Sequence, residues 1–304
     1  MTNSSSQSPN PNDPNDHHHT KKTSRRSFLS KAALTLLGIV ALPPAAVAYA
    51  RYAEPKWLDI ERVTLRTPRL PQAMDGLKVV QFSDTHLGFH YDAASLTQLA
   101  DIINKLEPDI LCFTGDLVDY AVGSEGSAYA EALGRMQAGL GKFAVLGNHD
   151  YFKGGDVVVA KTLAAGGFRV LRNQAARVQK GNGSMWVAGV EDMWYGKPDI
   201  ARSLNAVNPD DYVLLLSHSP DYADTVVDFP VDVQLSGHSH GGQVRIPFYG
   251  HVVVPKFAEK YVIGHYNLGE RDFQLYVNRG IGVSQQPIRF NCRPELTCFT
   301  LKRG

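Results

Sequence analysis

The stretch Phe143-Ala144-Val145-Leu146-Gly147-Asn148-His149-Asp150 decides the fold: a short apolar run closes on a glycine-led polar turn. Four other apolar runs end the same way. Lys78-Val79-Val80-Gln81-Phe82 leads into Asp84-Thr85-His86, and Ile110-Leu111-Cys112-Phe113 into Gly115-Asp116 with Asp119 close behind. Val213-Leu214-Leu215-Leu216 leads into Ser217-His218, and Val231 to Leu235 into Gly237-His238-Ser239-His240. Short apolar runs bounded by turn residues read as buried strands. Open α/β sheets carry their chemistry just beyond the carboxyl ends of such strands. Five strands that each deliver Asp, Asn or His to one edge form a metal-site pattern.

The rest of the chain is consistent with an enzyme-sized α/β body. A length of 304 residues can bury a large core in one or two domains. The formal charge of +1 is carried by the N-terminus: the first fifty residues hold five Lys or Arg and two Asp, leaving 26 basic and 28 acidic groups beyond them. A mildly acidic body has no electrostatic footprint for nucleic acid, and no basic aromatic run points to a nuclease. Three cysteines are too few for a disulfide framework. Cys112 reads as a core residue, and Cys292 and Cys298 could pair only if the chain reverses near Pro294.

The first 23 residues are polar and aperiodic and read as disorder, including the tract His17-His18-His19. Ser24-Arg25-Arg26-Ser27-Phe28-Leu29 and the apolar stretch from Ala32 to Ala50 resemble a twin-arginine export signal, an address read by the twin-arginine translocase. Residues 1–50 are therefore expected to be tail and signal. The expected location is extracytoplasmic or periplasmic. Small-x-small cleavage patterns stand at Ala46-Val47-Ala48 and Ala48-Tyr49-Ala50. Uncut, about 19 apolar residues are marginally long enough to anchor the chain in a bilayer, so cleavage and membrane association stay open.

Residues 57–304 are expected to form one domain. Ile60 to Leu65 and Leu77 to Phe82 read as strands, and Tyr91 to Leu106 as a helix with Ser95 and Gln98 at capping-box spacing. Helices are also expected over Tyr129 to Leu140, Val157 to Ala165, Ile200 to Val207 and Tyr222 to Val227. Phe168 to Val190 reads as strands with a turn at Gly181-Asn182-Gly183. Short strands follow His240, at Gln243 to Ile246, His251 to Val254, Tyr261 to Tyr266, Phe273 to Val277 and Leu296 to Leu301.

Each polar cluster is weak alone, since D-x-H and Gly-Asp are common in turns and caps. Jointly they agree in chain order, strand-end position and residue type. Eight histidines lie beyond the polar tail, and five fall in the clusters; His90, His251 and His265 read as surface or pocket residues. Mixed carboxylate, amide and imidazole donors suit hard-to-borderline divalent ions such as Mn, Fe or Zn and argue against a thiolate site.

The ordered set D-x-H, G-D-x-x-D, G-N-H-D, H and G-H-x-H, from Leu77 to His240, resembles the calcineurin-like metallophosphoesterases. Gly241-Gly242-Gln243 and the segment Pro287 to Glu295 are similar to an exported bacterial branch that includes phosphodiesterases. The resemblance implies a four-layer α/β/β/α sandwich of mixed sheets with two metals at its edge. It implies one metal on Asp84, His86, Asp116 and His240, and a second on Asp116, Asn148, His218 and His238. A hydroxide shared by two such ions can attack phosphorus in line with the leaving oxygen. His149 matches the family's non-ligand histidine, which protonates or stabilises that oxygen. Asp119 matches the carboxylate that orients it, and Asp150 a supporting position.

Two departures bear on substrate. Phosphoprotein phosphatases of the superfamily carry Arg where Tyr120 stands, and Glu where Asp150 stands. Without that guanidinium fork the reading leans to phosphodiesters or pyrophosphates over monoesters, unless Arg245, Arg279 or Arg289 replaces it in space. An export signal points to a lipid or envelope substrate. A UDP-2,3-diacylglucosamine-type pyrophosphate hydrolase of lipid A synthesis is an alternative, although that lipid is made on the cytoplasmic face. A non-catalytic scaffold on the same fold is the alternative of another class, disfavoured by the complete ligand set.

Overall fold

In the computed structural model, which describes residues 44–304, the apolar runs pair into two six-stranded sheets. The first is built from β1 (Asp59–Thr67), β2 (Lys78–Phe82), β3 (Ile110–Phe113), β4 (Gly141–Ala144), β5 (Arg169–Val170) and the C-terminal β14 (Glu295–Arg303). Their order is β1-β14-β2-β3-β4-β5, with β2 to β5 parallel and β14 antiparallel to β2. The second sheet holds β6 (Gln174–Lys180), β7 (Gly183–Gly189), β8 (Val213–Leu216), β9 (Val233–Ser236), β12 (Gly264–Leu268) and β13 (Phe273–Val277). It runs β12-β13-β9-β8-β7-β6, parallel from β13 through β7 and antiparallel at both edges. A two-stranded hairpin, β10 (Arg245–Ile246) with β11 (Gly250–His251), stands apart.

Strands buried on both faces must be apolar throughout, and that is why these runs lack alternation. The inner faces meet in one core: Val79, Ile110, Phe143 and Phe299 from the first sheet, Val187, Leu214, Leu235 and Tyr276 from the second. The outer face of the first sheet packs on the helices Ala93–Leu106, Gly126–Arg135 and Asp156–Ala165 through Leu96, Leu99, Ile103, Leu133 and Leu163. The outer face of the second is covered by the short helices Ile200–Ser203 and Ala223–Val226. The result is the expected α/β/β/α sandwich of mixed sheets.

Local chemistry adjusts several boundaries. The helix expected from Tyr91 begins at Ala93, because Asp92, not Ser95, is the N-cap: its carboxylate accepts from the Ser95 N–H at 2.8 Å. The helix expected to reach Leu140 ends at Arg135, leaving an irregular link to β4. The segment expected to be one helix over Tyr222 to Val227 is a Pro220–Tyr222 turn followed by Ala223–Val226. The sheet turn at Gly181-Asn182 is present between β6 and β7. Cys112, Cys292 and Cys298 are all free thiols.

The compact unit spans Ala48–Gly304 and so starts upstream of Trp57. Buried Glu54 explains this, since its carboxylate accepts from the Cys292 N–H. The Ala50 carbonyl also accepts from the Arg289 N–H at 2.8 Å. The polar tail, the histidine tract and the twin-arginine pair lie outside the described residues. Among the described residues, no helix is long and apolar enough to cross a membrane.

Candidate metal centre

The carboxyl ends of β2, β3, β8 and β9, and the turn that follows β4, converge on one rim shared by both sheets. The backbone there is unusual. Asp84, His86, Asp116, His238 and His240 all adopt positive φ, between 45° and 67°. Non-glycine residues rarely take this left-handed conformation, at a cost of about 1–2 kcal/mol each. Five such residues at one rim are held there by the surrounding packing and aim their side chains inward.

Two glycines make the approach possible. A Cβ on Gly147 would strike the Asp116 carboxylate and lie 2.6 Å from the Asp116 nitrogen. A Cβ on Gly237 would strike the Ser83 hydroxyl and the Asp84 carboxylate. Any side chain at either position would displace an acidic group of the rim.

Hydrogen bonds fix the imidazole orientations. A carbonyl only accepts, so the ring nitrogen facing it carries the proton. His218 Nδ1 donates to the Thr114 carbonyl at 2.7 Å, His238 Nε2 to Lys256 at 2.8 Å, and His149 Nδ1 to Asp119 at 2.6 Å. The opposite nitrogen of His218 then lies 3.3 Å from Asp116 Oδ2 and 3.2 Å from Asn148 Oδ1. On the other side His86 Nε2 lies 3.0 Å from His240 Nε2 and 3.6 Å from Asp116 Oδ2, and His240 Nε2 lies 3.5 Å from Asp84 Oδ1. Three clusters of potential ligands result: the buried Asp84-His86-His240 and Asp116-His218-His238, with Asp116 within reach of both, and the more exposed His86-Asp119-His149.

Carboxylate, amide and imidazole atoms that face one another at 3.0–3.6 Å in a buried site are satisfied by a positive charge between them, a proton or a metal ion. The side chains of Asp84, His86 and His218 are shut off from solvent. Burial raises Asp84, even against the neighbouring His218. Burial works the same way on Asp116, but His218, His149 and His86 hold it well below the ordinary carboxylate range. Burial, then the charge of His218, lowers His238 to about 3, and burial with His86 and Arg289 holds His240 well below its ordinary value. His218 moves the other way, to about 10, because Asp116 and Asp84 outweigh its burial; without metal its Nε2 holds a proton, and the lone pair is presented only when a cation takes that proton's place. The site thus stabilises positive charge at its centre, and its oxygen and imidazole donors fit divalent metals.

All nine residues singled out in the sequence are gathered here. One contact differs from the expectation. The Asp119 carboxylate meets His86 Nδ1 at 3.0 Å and stands 3.6 Å from His149 Nδ1; the Asp119 main-chain carbonyl is what holds His149. The Asp119 N–H bonds to Leu87 O beside the Leu87–Val118 bridge, and this turns the residue so that backbone and side chain serve different histidines. Asp150 is fully buried, and its carboxylate accepts from the N–H groups of Asp116, Leu117 and Gly147 at 2.8–2.9 Å, with Val118 at 3.4 Å. Arg289 gives a reason for the Pro287 to Glu295 segment. Its buried guanidinium donates to the carbonyls of Arg279, Gly280, Gly282 and Cys292, and this folds the loop whose Gly280 packs on Asp84.

The walls of the site had no counterpart among the sequence motifs. A cleft of about 610 Å³ opens from Asp116, Asn148, His149 and His238. Phe152, Trp194 and Tyr195 flank it on one side, Val244, Val252–Pro255 and Ile288 on the other. These residues come from four distant segments, and none of them carries a local motif that marks it in the sequence. Tyr120 is exposed and carries Lys153 Nζ 4.6 Å above its ring.

Comparison with known proteins agrees with this geometry. A family model described as calcineurin-like phosphoesterase matches residues 77–242. An uncharacterized metallophosphoesterase of Bacillus subtilis, YkuE, is 37% identical over 284 residues, covering 93% of this chain and 99% of that protein. The Escherichia coli phosphodiesterase YaeI is 31% identical over 282 residues, 91% of this chain and 99% of that one. The Chlamydia trachomatis UDP-2,3-diacylglucosamine pyrophosphatase LpxG is 29% identical over 321 residues, 86% of this chain and 94% of that one. With its sandwich, its carboxylate-imidazole clusters and these matches taken together, the chain belongs to the calcineurin-like phosphoesterase family, whose enzymes use divalent metals to hydrolyse phosphoric esters.

Proposed function

We propose that this protein is a dinuclear metal-dependent hydrolase of phosphodiesters or pyrophosphates bearing a lipid or similarly apolar group. The observation that carries the reading is the cleft itself: two acceptor-lined clusters sharing Asp116, an apolar wall, and no arginine among the lining residues. Among the described residues, Arg245, Arg279 and Arg289, the candidates for a replacement fork, are engaged elsewhere. Arg279 pairs with Glu295, Asp59 and Glu61, Arg289 with loop carbonyls, and Arg245 with the Gly241 carbonyl. A dianionic monoester would find no bidentate guanidinium, whereas a diester carries one charge fewer and needs none.

Asp84, His86, Asp116 and His240 would hold one ion, and Asp116, Asn148, His218 and His238 the other. Manganese is the favoured metal, with iron or zinc compatible with the same donors. When bound, such a pair supplies Lewis acidity to the phosphoryl oxygens and activates the attacking water. His149 is anchored through Nδ1, so its Nε2 is free to give a proton to the leaving oxygen. Asp119 positions both His149 and His86, and Asp150 holds the turns that present Asp116 and Asn148. The twin-arginine-like N-terminus supports an exported protein that acts outside the cytoplasm. A lipid-linked pyrophosphate of the kind named for the Chlamydia relative fits the apolar wall equally, and is the second reading.

The test is hydrolysis of bis-p-nitrophenyl phosphate against p-nitrophenyl phosphate by protein stripped of metal and then given Mn, Zn, Mg or Fe. Restoration by Mn with the diester preferred is the expected result. Activity indifferent to chelator would remove the metal mechanism, and a preference for the monoester would remove the substrate class.

A further inference from the structure

The hairpin β10–β11 has no role in the chemistry, yet it carries the most exposed apolar side chains of the body. Phe248 at its tip is fully exposed, Tyr249 is 75% and Val253 71% exposed, and Ile246 and Val252 are about half exposed. Large apolar groups clustered on a surface mark a contact site. The hairpin also adjoins the cleft, because Val244 and Val252–Pro255 form the cleft wall.

Charge distinguishes the kind of contact. From Gly241 to Ala258 the chain has Arg245, His251 and Lys256 and no carboxylate. An apolar tip flanked by cations suits a membrane surface with anionic head groups, where the apolar groups enter the acyl boundary and the cations stay at the phosphates.

Connectivity points the same way. The strip Ser284–Phe290 is bonded to the hairpin base through Arg245 N–H to Phe290 O at 2.9 Å and through a reciprocal pair between Gln243 and Ser284. On its far side the next residue, Arg289, donates its N–H to the carbonyl of Ala50. Ala50 is where the apolar stretch that begins at Ala32 ends. The exposed Arg51 and Tyr52 follow it, lining a second hollow with Val283 and Pro287. The place where the chain enters the body and the apolar hairpin thus share one strip of backbone at the mouth of the cleft.

We infer that this strip is a membrane-facing rim: the β10–β11 hairpin inserts its Phe248-Tyr249 tip into an anionic lipid surface and sets the cleft mouth at head-group level. The inference deepens the proposed lipid-linked substrate and rests on it for its purpose. Its physical claim is separate. The phosphate of a lipid phosphodiester would enter the cleft from head-group level while its apolar part lies along Val252–Val254.

The test places an environment-sensitive fluorophore on Phe248→Cys, and separately on Val253→Cys, in the full chain. The control site is Asp210→Cys, an exposed residue ahead of the amino end of β8 and so at the opposite edge of the sheet from the centre. Each protein is mixed with vesicles of phosphatidylglycerol and phosphatidylethanolamine, then with phosphatidylcholine alone. The expected result is a blue shift and an emission gain of at least about twofold at 248 and 253 with the anionic vesicles, a smaller gain with phosphatidylcholine, and none at 210. Silence at 248 and 253, or an equal response at all three sites, would overturn the inference; silence is also what a protein-docking hairpin would give. Turnover of bis-p-nitrophenyl phosphate by the Phe248→Cys protein is read in parallel, so a failure of the diesterase reading shows there and not in the fluorescence.

Discussion

Replacing Asp150 by asparagine isolates one structural claim: that a single buried anion holds the two turns which present Asp116 and Asn148. Asp150 Oδ2 accepts from the N–H of Asp116 and of Gly147, and Oδ1 from Leu117 with Val118 further off. Asparagine keeps one oxygen and turns the other into a donor, so two of the backbone N–H groups lose their acceptor and face an N–H instead. A buried group left without its partner costs about 1–3 kcal/mol, which puts Asp150→Asn near 2–5 kcal/mol. For a body of this size that is a fall in Tm of about 5–15 °C. Burial and the Asp116 charge push Asp150 up to about 7 in the metal-free protein, against the pull of the N–H groups. The measurement therefore belongs at pH 8 on the metal-loaded protein, where bound cations offset the Asp116 charge that makes ionised Asp150 costly, by urea unfolding with metal affinity read by calorimetry. Loosening Asp116 and Asn148 should weaken the metals about 10–100-fold. A variant as stable as the parent with metal affinity intact would refute the reasoning. It would mean that the carboxyl carries a proton and that asparagine merely copies it.

Three further outcomes follow from other parts of the molecule. His149→Ala should retain both metals by elemental analysis yet lose about 10²–10⁴ of kcat, since only its Nε2 reaches the cleft; loss of metal would reassign it as a ligand. Gly147→Ala should fold but lose metal, because its Cβ collides with the Asp116 carboxylate, and normal occupancy would contradict the close approach. Asp232, remote from the centre, is raised by burial from 3.8 to about 6 although it accepts from the Val213 N–H. A carboxyl raised in the folded state holds its proton more tightly there, so stability falls as pH rises from about 4 to about 6, and the cost is complete above that. Two pKa units correspond to about 3 kcal/mol. Asp232→Asn should therefore gain relative to the parent by about 2–3 kcal/mol between pH 4 and pH 7.5. Parallel unfolding curves across that range would show that Asp232 is not perturbed.

The strands and what hangs from them were written in the order of residues. A strand buried on both faces must be written almost wholly in apolar residues, and its polar residues appear where it leaves the sheet. Asp84, Asp116, Asn148, His218 and His238 were legible for that reason: each stands just past such a run, and the rule is local. What is not local came from the packing of distant segments. The C-terminal β14 slots between β1 and β2, and β13 beside β9, because pairing partners far apart in the chain leave no mark on either segment. The left-handed backbone at Asp84, His86, Asp116, His238 and His240 is imposed by packing from several segments at once. The Asp119 carboxylate goes to His86 because its main chain, fixed by Leu87, already occupies His149. Likewise the cleft wall and the exposed hairpin exist only where Val244, Val252 and Ile288 are brought beside the rim, since a surface is a property of neighbours in space and not in sequence.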